Sequence, residues 1–160
     1  MDKNYVILAP HADDEIIGCF DVLSAPNHRV SHVVYPNYAA LQEAREMAEM
    51  FGVELALTGD LIDVLKAGGT LFAPDPNYDY HPEHRRWGHT AERTARENND
   101  INVVWYNTNM NAPYIREVRR WKRKRDLLNK FYPAKSSLWE YDHRYYLFEG
   151  QCTWIMKWGD

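Results

Sequence analysis

The stretch Tyr5-Val6-Ile7-Leu8-Ala9-Pro10-His11-Ala12-Asp13-Asp14-Glu15-Ile16-Ile17-Gly18-Cys19-Phe20 passes from an apolar run, through a proline and an imidazole, to three consecutive carboxylates and back to an apolar run. Four apolar residues closed by a turn predict a buried strand over 4–9, and the apolar spacing after Asp14 predicts a helix over 14–24, stopped before Pro26. The polar cluster then occupies a strand-to-helix loop. In an open α/β sheet that loop lies at the carboxyl end of the strands, where ligands bind. So much charge at one chain turn is costly unless a cation or a substrate uses it.

The remainder repeats the same alternation. A β-branched run at 29–35 reads as a second strand, and 38–51 as a helix whose apolar face is Leu41, Ala44, Met47, Ala48 and Phe51, capped by Gly52. Strand patterns return at 53–57, 70–73 and 101–106, with a short helix over 60–67 and a polar helix from Pro82 to about Asn98 between them. Beyond these, 113–131 reads as one basic helix, 134–143 as a short helix, and 145–157 as an aromatic strand or hairpin. Strands alternating with helices predict an α/β fold, a doubly wound and mostly parallel sheet with helices on both faces, in a single domain over 1–160.

Composition sets bounds on function. With 160 residues, 45% of them hydrophobic and 26% charged, the chain has the proportions of a globular protein with one core. A net charge of −4 argues against a globally basic nucleic-acid surface. Cys19 and Cys152 are too few for a disulfide framework and suit a reducing compartment, with Cys19 a small core residue. No 18-residue apolar run and no signal-like segment is present, so the expectation is a cytoplasmic protein without a membrane span.

Two motifs carry the chemistry: His11 with Asp13-Asp14, and His81-Pro82-Glu83-His84 some seventy residues later. Imidazole and carboxylate oxygen are good zinc ligands, and a catalytic site needs three protein ligands and one open position. Each motif alone has an ordinary explanation, as capping histidines or as acids at a helix N-terminus. Both at strand-to-helix junctions point to a shared metal site.

Pro10-His11-Ala12-Asp13-Asp14-Glu15 together with His81-Pro82-Glu83-His84 resembles the (A/P)HxDDE and HPDH motifs of the PIG-L (LmbE-like) family, Rossmann-like zinc-dependent deacetylases of N-acetylglucosamine-type amides. The resemblance covers residues 4–99 well and marks a short, divergent member. It implies that His11, Asp14 and His84 bind Zn2+, or another divalent ion such as Fe2+. It implies further that Asp13 is the general base and His81 the second catalytic residue, stabilising the oxyanion or protonating the leaving amine. Glu83 stands where the family has an aspartate that orients the neighbouring histidine, and Asp79 is a substitute for that role. An arginine that the family carries three residues before a glutamate corresponds to Ala40 if Glu43 is that glutamate, so substrate recognition must differ.

Asn107, Thr108, Asn109 and Asn111 follow the fifth strand, and Asn107 and Asn109 are candidates for binding a hydroxylated substrate. His89 is expected on the surface. The basic residues at 116–125, interleaved with Trp121 and followed by Tyr132 and Trp139, form either a solvated face with core aromatics or a contact for phosphate or nucleic acid. The first reading is a metal-dependent N-deacetylase acting on an acetylated amino sugar. The alternatives are an amidase on a nucleotide or modified nucleobase, and a non-catalytic binding module that keeps its metal for structure.

Overall fold

Val6 and Leu8 face one side of the sheet and Ile7 the other, each into its own apolar cluster, so the first strand is buried on both faces. The chain is represented by a computed structural model that describes residues 2–65, 69–98, 100–109 and 112–156. Strand β1 (Tyr5–Leu8) is followed by α1 (Asp14–Leu23), β2 (Val30–Tyr35), α2 (Tyr38–Glu43), α3 (Arg45–Phe51) and β3 (Glu54–Leu57). A 3-10 turn and the short α4 (Leu61–Val64) lead to β4 (Thr70–Pro74), then α5 (Pro82–Glu97) and β5 (Asn102–Asn107). The last third holds β6 (Tyr114–Glu117), α6 (Trp121–Phe131), a 3-10 turn (Pro133–Lys135), α7 (Ser136–Tyr141), α8 (Arg144–Leu147) and β7 (Phe148–Met156).

The strands form one sheet in the order β3-β2-β1-β4-β5-β7-β6. The five on the β3 side run parallel, and β7 is antiparallel to both β5 and β6. On one face α1, α2, α3 and α6 bury Ile16, Phe20, Met47 and Leu128; on the other, α4 and α5 bury Leu61, Ala91 and Ala95. This is a Rossmann-like α/β sheet with helices on both faces, as the alternation predicts. No helix among the described residues is long and apolar enough to cross a membrane.

Three expected elements need correction. The helix over 38–51 is two, kinked at Ala44, which is buried and whose N–H still bonds the Ala40 carbonyl. The helix expected over 60–67 ends at Val64, with Leu65 already extended, and residues 66–67 fall outside the described residues. The basic helix over 113–131 is a strand, β6, and a helix that starts at Trp121. Tyr114 and Ile115 have strand-forming side chains, and β7 offers them an edge to pair with.

That split also disperses the basic residues. The Arg116 guanidinium lies on Asp21 and Glu149, Arg120 donates to the Ser24 carbonyl and hydroxyl, and Lys124 is fully buried, donating to the carbonyls of Ile17 at 2.7 Å and Phe148 at 3.2 Å. Tyr132 and Trp139 are buried, so they belong to the core, and Trp121 stacks on Tyr146. Cys19 is buried as expected.

Candidate metal centre

β1 and β4 are adjacent in the sheet although their sequences are far apart, and the strand order reverses between them. The loop after β1 carries His11 and Asp13 and opens into α1 at Asp14, the loop after β4 carries Asp79 and leads into His84, and the turn after β5 carries Thr108 and Asn109. Three neighbouring carboxyl ends thus deliver the polar side chains to one crevice, at the switch point where α/β sheets bind ligands. His81 is the N-cap of α5, Pro82 fills the first helical position, and His84 begins the buried stripe continued by Gly88, Ala91 and Ala95.

His11, Asp14 and His84 form the group of described residues that could hold a metal ion. His11 Nδ1 lies 3.1 Å from His84 Nε2 and 3.3 Å from Asp14 Oδ2, and His84 Nε2 lies 3.1 Å from the same Oδ2. Two ligands on one zinc, each about 2.1 Å from it at a near-tetrahedral angle, stand roughly 3.2–3.4 Å apart. The triangle therefore fits a single ion, and no fourth donor among the described residues joins the group. The outer ring nitrogens are occupied as well: His11 Nε2 meets Glu83 Oε2 at 2.8 Å, and His84 Nδ1 meets Asp79 Oδ2 at 2.9 Å and Thr108 Oγ1 at 3.2 Å. Each histidine offers the shared point the nitrogen that its carboxylate leaves over, the arrangement by which outer carboxylates fix ligating imidazoles.

The charges reinforce one another. Burial opposes charge on His84, but Asp14 and Asp79 override it and raise its pKa to about 10. Burial would likewise lift Asp14, yet the imidazoles of His84 and His11 hold it well below the usual carboxylate range. A proton and a divalent ion therefore compete for His84 Nε2. His81 is pushed down by its partial burial and by the neighbouring imidazoles of His84 and His11.

Asp13 stands beside the triad. It is 4% exposed, and burial and the Asp14 charge push its carboxyl well above the ordinary value. Its backbone is at φ 124°, ψ −27°, a region that costs a non-glycine residue on the order of 1–3 kcal/mol. Its N–H donates to Glu15 Oε2 at 3.1 Å, while the Tyr132 hydroxyl donates to the other oxygen, Glu15 Oε1. Burial raises Glu15 to about 7.

The crevice encloses about 600 Å³. His81 lies at its wall, stacked on His84, with Nδ1 accepting the Glu83 N–H. Asn109 lines it and donates to Asp79 Oδ1 at 3.2 Å. Asn107 is not among the residues that line it: this residue is fully buried at the end of β5, and its carboxamide oxygen accepts the Asn109 N–H. Asn111 lies outside the described residues. His89 is exposed and faces Glu92.

No family model matches the chain, and no curated protein does. Solved structures similar in fold include the following two. The crystal structure of GalB, the 4-carboxy-2-hydroxymuconate hydratase from Pseudomonas putida, superposes with a TM-score of 0.66 at 13% identity, covering 93% of this chain and 95% of that one. The conserved protein TT1542 from Thermus thermophilus gives 0.62 at 13% identity, covering 98% and 99%.

Several side chains at the crevice escaped the sequence reading: Tyr80, Lys135, Leu138 and Tyr145 line it. Three of these four come from the segment after α6, and no motif marks them. The Lys135 ammonium donates to the Ala12 carbonyl at 2.6 Å and lies 3.4 Å from Asp13 Oδ2.

Proposed function

We propose that the chain is a divalent-metal-dependent N-deacetylase, with zinc as its ion, that removes the acetyl group of an amino sugar or sugar conjugate, and that it is a short, divergent relative of the PIG-L (LmbE-like) deacetylases. One observation carries this reading. Both histidines turn their remaining nitrogen to the point shared with Asp14, while Asp13 stands alongside and contributes no donor to that group. A structural zinc site is closed by four protein ligands, whereas a hydrolytic one keeps a position open and has a carboxylate to spare.

The ion, when bound, supplies a Lewis acid for the amide carbonyl and acidifies water in the crevice. Asp13 takes the proton of the attacking water and returns one to the leaving nitrogen, so that amide and water give acetate and free amine. His81 accepts the Glu83 N–H at Nδ1, so in its neutral form the ring proton is on Nε2. From there it donates to the carbonyl oxygen as negative charge develops. A crevice of about 600 Å³ with Tyr80 and Tyr145 in its walls accommodates a sugar ring.

The test is a screen of zinc-loaded protein against acetylated amino sugars and nucleotide sugars, reading free amine and acetate, with 4-carboxy-2-hydroxymuconate as a separate hydration arm. Amine release from at least one acetamido compound is expected. Asp13→Asn should keep its zinc and lose turnover by on the order of 100- to 10,000-fold. Absence of release by the metal-loaded protein, or full activity in Asp13→Asn, overturns the reading.

A further inference from the structure

The turn that bears Asp13 is gripped from outside its own motif. Tyr132 precedes the 3-10 turn that follows α6 and Lys135 ends it, and both reach the β1–α1 turn: Tyr132 through Glu15, and Lys135 directly. Lys135 Nζ binds the carbonyl that precedes Asp13 at 2.6 Å and sits 3.4 Å from the Asp13 carboxylate, while Glu15 holds the Asp13 N–H. The strained residue is thus fixed at its amide, at the peptide before it and at its side chain. A strained φ persists only where surrounding contacts over-determine it. Lys135 is the only lysine or arginine among the described residues lining the crevice, and it is about one third exposed. Neither Lys135 nor Asp13 belongs to the candidate ligand group.

We infer that Lys135 is a positioning residue for Asp13: it holds the strained Ala12–Asp13 turn so that the Asp13 carboxylate faces the crevice beside the metal ligands and does not join them. The inference rests on the reading of Asp13 as the base. Its physical content is separate, because the grip acts on the turn whether or not a substrate is known. An arginine at 135 has the reach and the donors to serve both acceptors, whereas a methionine fills the same space without donating to either.

The experiment compares Lys135→Met and Lys135→Arg with the unaltered chain in three readouts: zinc affinity by chelator competition, amide hydrogen exchange over residues 12–17, and kcat and KM on whichever acetamido compound the screen yields. In Lys135→Met, zinc affinity should stay within about threefold, exchange at the Asp13 amide should rise at least about tenfold, and kcat should fall roughly 10- to 100-fold with KM within about threefold. Lys135→Arg should recover both exchange protection and kcat to within about threefold. In an Asp13→Asn background, Lys135→Met should lower kcat no further. Unchanged exchange at Asp13, loss of zinc in Lys135→Met, or failure of arginine to rescue each overturns the inference. Should Lys135→Met not fold, Lys135→Leu, which also lacks a donor, takes its place and the same three outcomes decide. The exchange and zinc arms need no substrate, so a chain that turns nothing over removes the deacetylase reading while Lys135 is still judged.

Discussion

Replacing Gly88 by alanine moves His84 without altering a donor atom. Gly88 lies one helical turn after His84 on the buried stripe of α5. A Cβ there would meet the Pro74 carbonyl oxygen at 2.4 Å, Pro76 N at 2.8 Å and Pro76 Cδ at 3.0 Å. Those atoms cannot retreat easily: Pro74 is in register with Tyr106 in the β4–β5 pair, and the Asp75 N–H donates to the Tyr106 carbonyl at 2.9 Å. A carbon needs roughly 3.3 Å from a carbonyl oxygen, so the helix must back away by about 0.9 Å.

His84 travels with it, away from His11 and Asp14, which belong to the other loop. The 3.1 Å separations from His84 Nε2 then widen well past the ±0.2 Å or so within which zinc–ligand distances hold. Overpacking costs about 1–3 kcal/mol, and the better helix propensity of alanine offsets up to about 1 kcal/mol of that. The expected result is a modest loss of stability with zinc affinity at least about tenfold weaker, the scale on which a disturbed ligand support acts. Chelator competition reads the affinity and thermal melting the stability. Gly59→Ala serves as the control, because a Cβ there meets nothing within 4 Å. A folded Gly88→Ala chain that binds zinc within about twofold of the unaltered one would refute the claim that the α5–β4 approach sets the triad.

Zinc binding should release protons, because His84, raised to about 10, is protonated at neutral pH and must be neutral to ligate; apparent affinity should climb by up to about tenfold per pH unit from 6 to 8, and calorimetry in buffers of different ionisation enthalpy checks it. Asp79→Ala removes a fully buried partner of His84 and should weaken zinc binding about 10- to 100-fold, whereas Glu83→Gln, at a side chain 55% exposed, should cost under about threefold; equal effects in a chelator titration would contradict the assigned orientation. Burial lowers Lys124 to about 8 from the ordinary 10.5, so between those values the unfolded chain binds more protons than the folded one and stability rises with pH. Urea unfolding at pH 7.5, 9 and 10.5 should show the unaltered chain gaining on Lys124→Met by up to about 3 kcal/mol, and a flat difference would place the ammonium in water.

The parallel half of the fold was legible because β1 is buried on both faces and its neighbours read as short, largely apolar runs between turn residues. Val6, Ile7 and Leu8 carry that signal plainly, and Gly52 at φ 61° ends α3 as its position suggests. Past β5 the local pattern stops deciding. Tyr114–Glu117 is exposed at every position, so no alternation of burial marks it, and it is a strand because β7 returns antiparallel beside it. The basic run at 116–125 reads as one charged face, yet Lys124 is buried under β7 by carbonyls contributed from α1 and β7. Such an environment is set by tertiary packing, which spacing along the chain does not encode.

The same division runs through the candidate site. His11, Asp14 and His84 come from motifs fixed to the ends of β1 and β4, and those strands are neighbours, so a local reading sufficed to bring them together. Glu83 shows where that reading stops. The resemblance implies a partner for the adjacent His81, but the Glu83 carboxylate crosses the crevice to His11 Nε2 while only its backbone N–H reaches His81. A side chain at the second position of a helix points along the N-terminal rim, and what stands at that rim here is the β1 loop. Asp79, just before α5, therefore orients the buried His84, and each of the two carboxylates supports one histidine of the candidate group. The length of the glutamate at position 83 matters here: its arm spans from one strand's loop to the next and joins the His11 and His84 sides of the crevice.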